Sequence, residues 1–220
     1  SLGEWSALVA SGVVNFQDAV KLVRSRGKYM QDAVAPGEGA MAAIIGLDDA
    51  VVEKICADNS GEGVVSAVNY NSPGQLVIAG SAAAVEKAIE GCREAGAKKA
   101  MSLPVSAPFH TSLMKPAADR LQEEIMATQF NAPAIPIVHN VHAQTESDPE
   151  KIKMLMVEQI YSPVRWVACV QALASKGVDS AVECGPGKVL SGLARRIDKS
   201  IKSHATEQPD ALAAAIEATQ

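Results

Sequence analysis

Several function classes are excluded by what the sequence does not contain. Its four cysteines, Cys56, Cys92, Cys169 and Cys184, form no C-x-x-C pair. That removes a zinc ribbon or a disulfide frame and leaves small core residues of a reducing compartment, the cytoplasm. There is no excess of basic residues, with 20 Lys and Arg against 25 Asp and Glu and a formal charge of −5, so the basic stripe of a nucleic-acid binder is missing. No apolar run reaches the length of a membrane span, and no polar tract signals disorder. Gly185-Pro186-Gly187-Lys188 lacks phosphate-loop spacing and reads as a tight strand-to-helix turn. His139 and His142 stand three apart with no third ligand nearby in sequence, so neither a metal nor a cofactor is expected.

What remains is a chain of 220 residues, 48% hydrophobic and 20% charged, able to bury one large domain or a large and a small one. Its first stretch, Ser1 to Ala10, has Leu2, Ala7, Leu8, Val9 and Ala10 as the apolar run of a buried helix, with Gly3 near its start. Residues 12–34 read as a second helix after a break at Gly12. Beyond Pro36-Gly37-Glu38-Gly39 the pattern becomes strand (Ala40 to Ile45), helix (Asp48 to Ala57), strand (Val64 to Tyr70), turn (Asn71 to Gly74), strand (Gln75 to Ala79), helix (from Ser81) and strand (Lys98 to Leu103). This β-α-β-β-α-β order predicts a ferredoxin-like small domain over 36–106, inserted between the parts of a larger domain, 1–35 and 107–220. The larger part alternates as well. A helix from Ser112 to Thr128, a strand at Ile135 to Val138, helices over 149–161 and 167–175, a strand at Val178 to Glu183, a helix to Ile197, a strand at Ile201 to Ala205 and a helix from Pro209 predict an α/β fold, its sheet mainly parallel.

Three side chains carry candidate chemistry. Ser1 precedes a helix whose unpaired N–H groups and positive dipole end could stabilise an oxyanion, although serine is also a common N-cap and no G-x precedes it as in a nucleophile elbow. Arg26 could grip a carboxylate through two parallel hydrogen bonds, but with Arg24 and Lys28 a solvated helical face is the simpler account. His110 lies on a loop stiffened by Pro104 and Pro108, where an imidazole can act as general base for a serine or merely cap the following helix.

Taken together, Ser1-Leu2-Gly3-Glu4, Arg26-Gly27-Lys28, Asn69 to Gln75, Phe109-His110, Gln159 to Trp166 and Gly185 to Leu190 resemble the malonyl-CoA:acyl carrier protein transacylases of bacterial type II fatty acid synthesis, in order and over nearly the whole chain. The resemblance implies a large α/β-hydrolase-like domain and a serine nucleophile at Ser1, with His110 as its base. It further implies that Arg26 holds the malonyl carboxylate, the Leu2 N–H supplies half the oxyanion hole, the Gln159 main-chain carbonyl orients His110, and Asn71, in a loop facing the cleft, and Phe109 line the substrate pocket. The family's N-terminal segment, with its second oxyanion donor in a G-Q-G-S-Q motif, has no counterpart here: either the chain is a fragment or its N-terminal part is missing from the sequence.

The implied reaction is ping-pong acyl transfer from malonyl-CoA to the phosphopantetheine thiol of acyl carrier protein by a monomer with no membrane or nucleic-acid partner. Lys98, Lys99, Lys115, Arg195 and Arg196 are candidates for docking the acidic carrier. An acyltransferase domain of a polyketide synthase and a non-catalytic, carrier-binding fragment are the alternatives.

Overall fold

Apolar spacing sets the helices that carry the candidate residues. The computed structural model describes residues 1–61, 63–105 and 107–219. Ser106 on the predicted exit loop and Gln220 at the end of the predicted larger part therefore lie outside the described residues. Helix α1 (Leu2–Ala10) turns Glu4, Trp5 and Leu8 inward and ends where Gly12 takes a left-handed φ of 78°. In α2 (Phe16–Asp32) the Asn15 side chain caps the first turn by accepting from the Asp18 N–H. The buried stripe of α2 is Ala19, Leu22, Arg26 and Met30. Arg26 is thus on the apolar face, and the solvated-face account fails for it.

The expected strand and helix order over the next stretch is present: β1 (Gly39–Ile45), α3 (Asp49–Asp58), β2 (Val65–Ser72), β3 (Gln75–Ser81), α4 (Ala82–Glu94) and β4 (Lys99–Ser102). The strands pair antiparallel in the order β2-β3-β1-β4. Alternation places Ala42, Ile44, Leu76 and Ile78 on one sheet face, against Val52, Val85, Ala88 and Ile89 of the two helices. The opposite face carries Met41, Val68, Val77 and Ala79, against which Leu103 and Phe109 pack. β2 runs two residues past its expected end. Ser72 pairs with Gln75 around Pro73-Gly74, and a register shift between Tyr70 and Ser72 leaves Asn71 in an irregularity of the strand rather than in a loop. The φ of 69° at Gly74 permits so short a connection. Ser81 and Asp48 occupy N-cap positions without a side-chain cap bond; Ser81 Oγ instead accepts from the Val64 N–H at 3.2 Å.

After a 3-10 turn (Ser112–Met114), α5 (Lys115–Ala127) buries Ala117, Ala118, Leu121 and Ile125. The helix begins three residues later than its apolar pattern suggested, with Pro116 in its first turn. α6 (Pro149–Glu158) and α7 (Trp166–Ser175) follow, then β5 (Ser180–Glu183), α8 (Val189–Ile197), β6 (Lys202–Ala205) and α9 (Pro209–Ala218). Helices α1, α2, α5 and α6 share one core, centred on Trp5, Leu8, Leu22, Met30, Leu121, Ile125, Ile152 and Met156.

β5 and β6, the strands of the C-terminal stretch, pair in parallel as expected there, and the antiparallel sheet is that of β1 to β4. Two expectations are corrected. Ile135 to Val138 forms no strand, only an isolated bridge from Val138 to Thr145; Pro136 offers no N–H to a ladder, and Ile135 is exposed. Cys184 is exposed, unlike the other three cysteines. No helix among the described residues is long and apolar enough to cross a membrane.

Ile125 is fully buried in the core that carries α1 and α2. Replacing it by Ala should cost about 2–5 kcal/mol of unfolding free energy in denaturant titration. A loss below about 1 kcal/mol would contradict its central place.

Candidate active site

Ser1 stands at the N-cap of α1, yet its side chain makes no cap bond. Among the described residues its Oγ instead accepts a hydrogen bond from Arg26, with Nη2 at 2.9 Å. The same Nη2 donates to Gln159 Oε1 at 3.2 Å. Gln159 lies at the C-cap of α6, wholly buried, and reaches back to the start of the chain. Its Nε2 donates to the Ser1 carbonyl at 3.1 Å and to Glu4 Oε2 at 2.6 Å. One amide thereby joins nucleophile candidate, arginine and a buried carboxylate.

Burial pushes the Arg26 guanidinium down to about 10 while the Glu4 carboxylate acts in the opposite sense, so the group stays charged at neutral pH. Among the described residues its Nε is buried without a hydrogen-bond partner. An unpaired buried donor on a cation is costly, and an entering carboxylate would satisfy it.

His110 approaches from the other side, on the stretch between β4 and α5. Its φ of 64° is left-handed, a conformation that costs about 1–3 kcal/mol in a non-glycine residue and persists only where neighbours enforce it. Thr111 helps, its Oγ1 donating to the Pro108 carbonyl at 2.7 Å, while the Phe109 N–H donates to the Ala107 carbonyl at 3.0 Å. His110 Nδ1 lies 2.9 Å from the Gln159 main-chain oxygen, which makes Nδ1 the donor and leaves Nε2 as the basic nitrogen. Burial pushes the imidazole down to about 3, the Gln159 carbonyl opposing and the Arg26 charge reinforcing the shift. The ring is therefore neutral over most of the accessible pH range.

Ser1, Arg26, Gln159 and His110 thus form one connected group, joined through Gln159. Leu2, the first residue of α1, contributes one of the main-chain N–H groups that have no partner inside the helix. Phe109 is partly buried and packs against both the helical core and the outer face of the four-stranded sheet. Asn71 makes none of the hydrogen bonds that join the other residues.

Sequence reasoning missed a second layer. Glu4, 6% exposed, accepts from His139 Nδ1 at 2.7 Å and from the Asn140 N–H at 3.2 Å, besides Gln159. A signal existed: Glu4 shares the inward face of α1 with Trp5 and Leu8, and a charge on an apolar face requires donors. His139, fully buried, is such a donor; its ring also meets His142 edge-on at 6.0 Å.

The chain is similar to known proteins along most of its length. The profile of the acyl transferase domain family matches residues 1–215. The malonyl CoA-acyl carrier protein transacylase of Escherichia coli strain K12 is 53% identical over 217 residues, which cover 99% of this chain and 70% of that protein. The crystal structure of the acyl-carrier-protein S-malonyltransferase of Burkholderia pseudomallei 1710b superposes with a TM-score of 0.96 at 51% identity, over 98% of this chain and 70% of that one. A malonyl-transacylase solved in complex with the holo acyl-carrier protein of a type II polyketide synthase gives 0.96 at 45% identity, over 98% and 69% of the two chains. The chain belongs to the acyl transferase domain family and stands within it among the malonyl CoA-acyl carrier protein transacylases.

Proposed function

We infer that this protein moves a malonyl group from malonyl-CoA to the phosphopantetheine thiol of acyl carrier protein for fatty acid synthesis, through a malonyl ester on Ser1. The observation that carries this reading is the hydrogen bond from a buried, charged Arg26 to Ser1 Oγ. A cation at the nucleophile with a spare buried donor suits an acyl group bearing its own carboxylate, and a neutral fatty acyl chain would leave that donor unpaired.

In the first half-reaction His110 Nε2 takes the proton from Ser1 Oγ. The oxygen then bonds to the thioester carbon, and the Leu2 N–H, at the positive end of α1, receives the oxyanion. The C–S bond breaks, and CoA leaves as a thiol carrying the proton from His110. The second half-reaction runs the same steps in reverse order, with the carrier's thiol as attacking group and Ser1 leaving. The Gln159 carbonyl holds the imidazole in the tautomer that both halves require. Asn71 and Phe109 are assigned to the pocket wall, Phe109 on the strength of its place between the two packed bodies.

The division of labour follows the packing. The order β2-β3-β1-β4 with two helices on one face supports a ferredoxin-like unit over 36–106, and the remaining 1–35 and 107–220 form an α/β-hydrolase-like unit that carries Ser1, Arg26 and Gln159. The enzyme works in the cytoplasm as a monomer. Lys98, Lys99, Lys115, Arg195 and Arg196 are all exposed and suit an acidic carrier. Arg196 donates to Gln75 Oε1 at 2.8 Å, and Gln75 pairs with Ile45, which pairs with Lys99, so Arg196 and Lys99 stand at one end of the sheet.

Intact mass spectrometry of the protein carrying residues 1–220 should show a gain of one malonyl group on exposure to malonyl-CoA and none for Ser1→Ala. Acylation that survives Ser1→Ala would refute the assignment of the nucleophile. Charge-assisted hydrogen bonds are worth about 1.5–3 kcal/mol, so Arg26→Ala should lower the malonyl-to-acetyl preference roughly 10- to 100-fold in competing transfers; an unchanged preference would remove Arg26 from the role. Because His110 stays neutral down to about pH 3, the single-turnover acylation rate should show no acid limb near the ordinary histidine value of 6.5. Between these two values the unfolded chain binds a proton that the folded chain refuses, so stability should fall as pH drops through that window, and less so in His110→Gln. An acid limb at 6.5, or equal acid sensitivity in the two proteins, would contradict a buried neutral base.

A further inference from the structure

The side chain of Gln159 has a task separate from that of its main chain. Both protons of its amide are committed, one to the Glu4 carboxylate at 2.6 Å and one to the Ser1 carbonyl at 3.1 Å. Its oxygen is therefore left facing Arg26 Nη2, at 3.2 Å. The orientation is dictated by the partners. A carboxylate and a carbonyl can only accept, and a guanidinium can only donate. Turning the amide over would set oxygen against oxygen at Glu4 and at Ser1, and N–H against N–H at Arg26, all out of water.

Glu4 is itself fixed by two further donors, His139 Nδ1 at 2.7 Å and the Asn140 N–H at 3.2 Å. A connected set of hydrogen bonds thus links His139 to Ser1: His139 and Gln159 both donate to Glu4, and Arg26 donates to both Gln159 and Ser1 Oγ. The arginine has no carboxylate in direct contact along this route. Its hydrogen-bond acceptors on this route are a neutral amide oxygen and the serine hydroxyl, and the Glu4 charge acts on it only through the intervening amide.

We propose that Gln159, through its side-chain amide as oriented by Glu4, is a specificity-positioning residue that fixes Arg26 beside Ser1 and leaves its charge free for the carboxylate of the acyl donor. This rests on the reading of Arg26 as the malonyl-selecting group. The device explains why an amide stands here. An acid at 159 would set an oxygen against the Glu4 carboxylate and the Ser1 carbonyl, and an apolar residue would leave Arg26 Nη2 with one acceptor fewer.

The test is competing malonyl and acetyl transfer by wild type, Arg26→Ala, Gln159→Met and the double variant, all in the protein carrying residues 1–220. Met keeps the length of the side chain, and the main-chain carbonyl that meets His110 is unaltered. Gln159→Met should lower the malonyl-to-acetyl ratio of kcat/KM about tenfold, with the shape of the pH profile preserved, and should add nothing to that ratio when Arg26 is already Ala. Gln159→Leu, likewise without an acceptor for Arg26, should lower the ratio in the same way, and it keeps the question answerable if the Met variant does not fold. Equal loss for both donors, a ratio unchanged in the folded variants, or the same drop with and without Arg26 would overturn the proposal. If wild type shows no malonyl preference, or Arg26→Ala does not reduce it, the functional reading itself has failed. A reduced ratio in Arg26→Ala beside an unchanged one in Gln159→Met sinks only the inference.

Discussion

A carboxylate withdrawn from water governs the architecture of the site. Glu4 lies on the inward face of α1 beside Trp5, where an ionised group costs several kcal/mol unless donors surround it. The donors come from distant parts of the chain: His139, 135 residues away, the main chain of Asn140, and Gln159. Satisfying that single charge brings the end of α6 and the segment around residue 140 against the start of α1. Since Ser1 is the residue that begins α1, the nucleophile candidate is located by the same requirement. The bonds around Glu4 are thus both a packing constraint and the frame on which the chemistry is hung.

Much of the architecture could be read from residue spacing. Apolar positions at helical intervals marked α1, α2 and α5, and alternation broken by Pro and Gly marked the order β-α-β-β-α-β. Ile135 to Val138 misled because its composition suits a strand, yet a strand exists only with a ladder partner, which no local pattern reports. β5 and β6, by contrast, pair in parallel as their alternation with helices implied.

The site was legible to a different depth. Ser1, Arg26 and His110 were candidates from their local settings and took their roles from motif resemblance, and spacing alone pointed the wrong way for Arg26. Its charge suggested a solvated face, although Ala19, Leu22 and Met30 recur around it at helical intervals. The Gln159 side chain could not have been read from its neighbours at all, because its partners Ser1, Glu4 and Arg26 lie 133 to 158 residues away in sequence. Buried polar networks are assembled by tertiary structure, and only their unexplained members, such as a charge on an apolar face, leave a trace in the sequence.

The left-handed backbone at His110 carries a consequence for how the two halves of the site move. Nucleophile and arginine ride on α1 and α2, inside the helical core, whereas the imidazole hangs from the stretch leaving β4, beside Phe109, which touches both that core and the sheet. The backbone of His110 is strained and its ring is tied to Gln159 at the end of α6. His110 is therefore held from both sides, and a shift of the strand end relative to the helices would have to break the Gln159 bond or release the left-handed backbone.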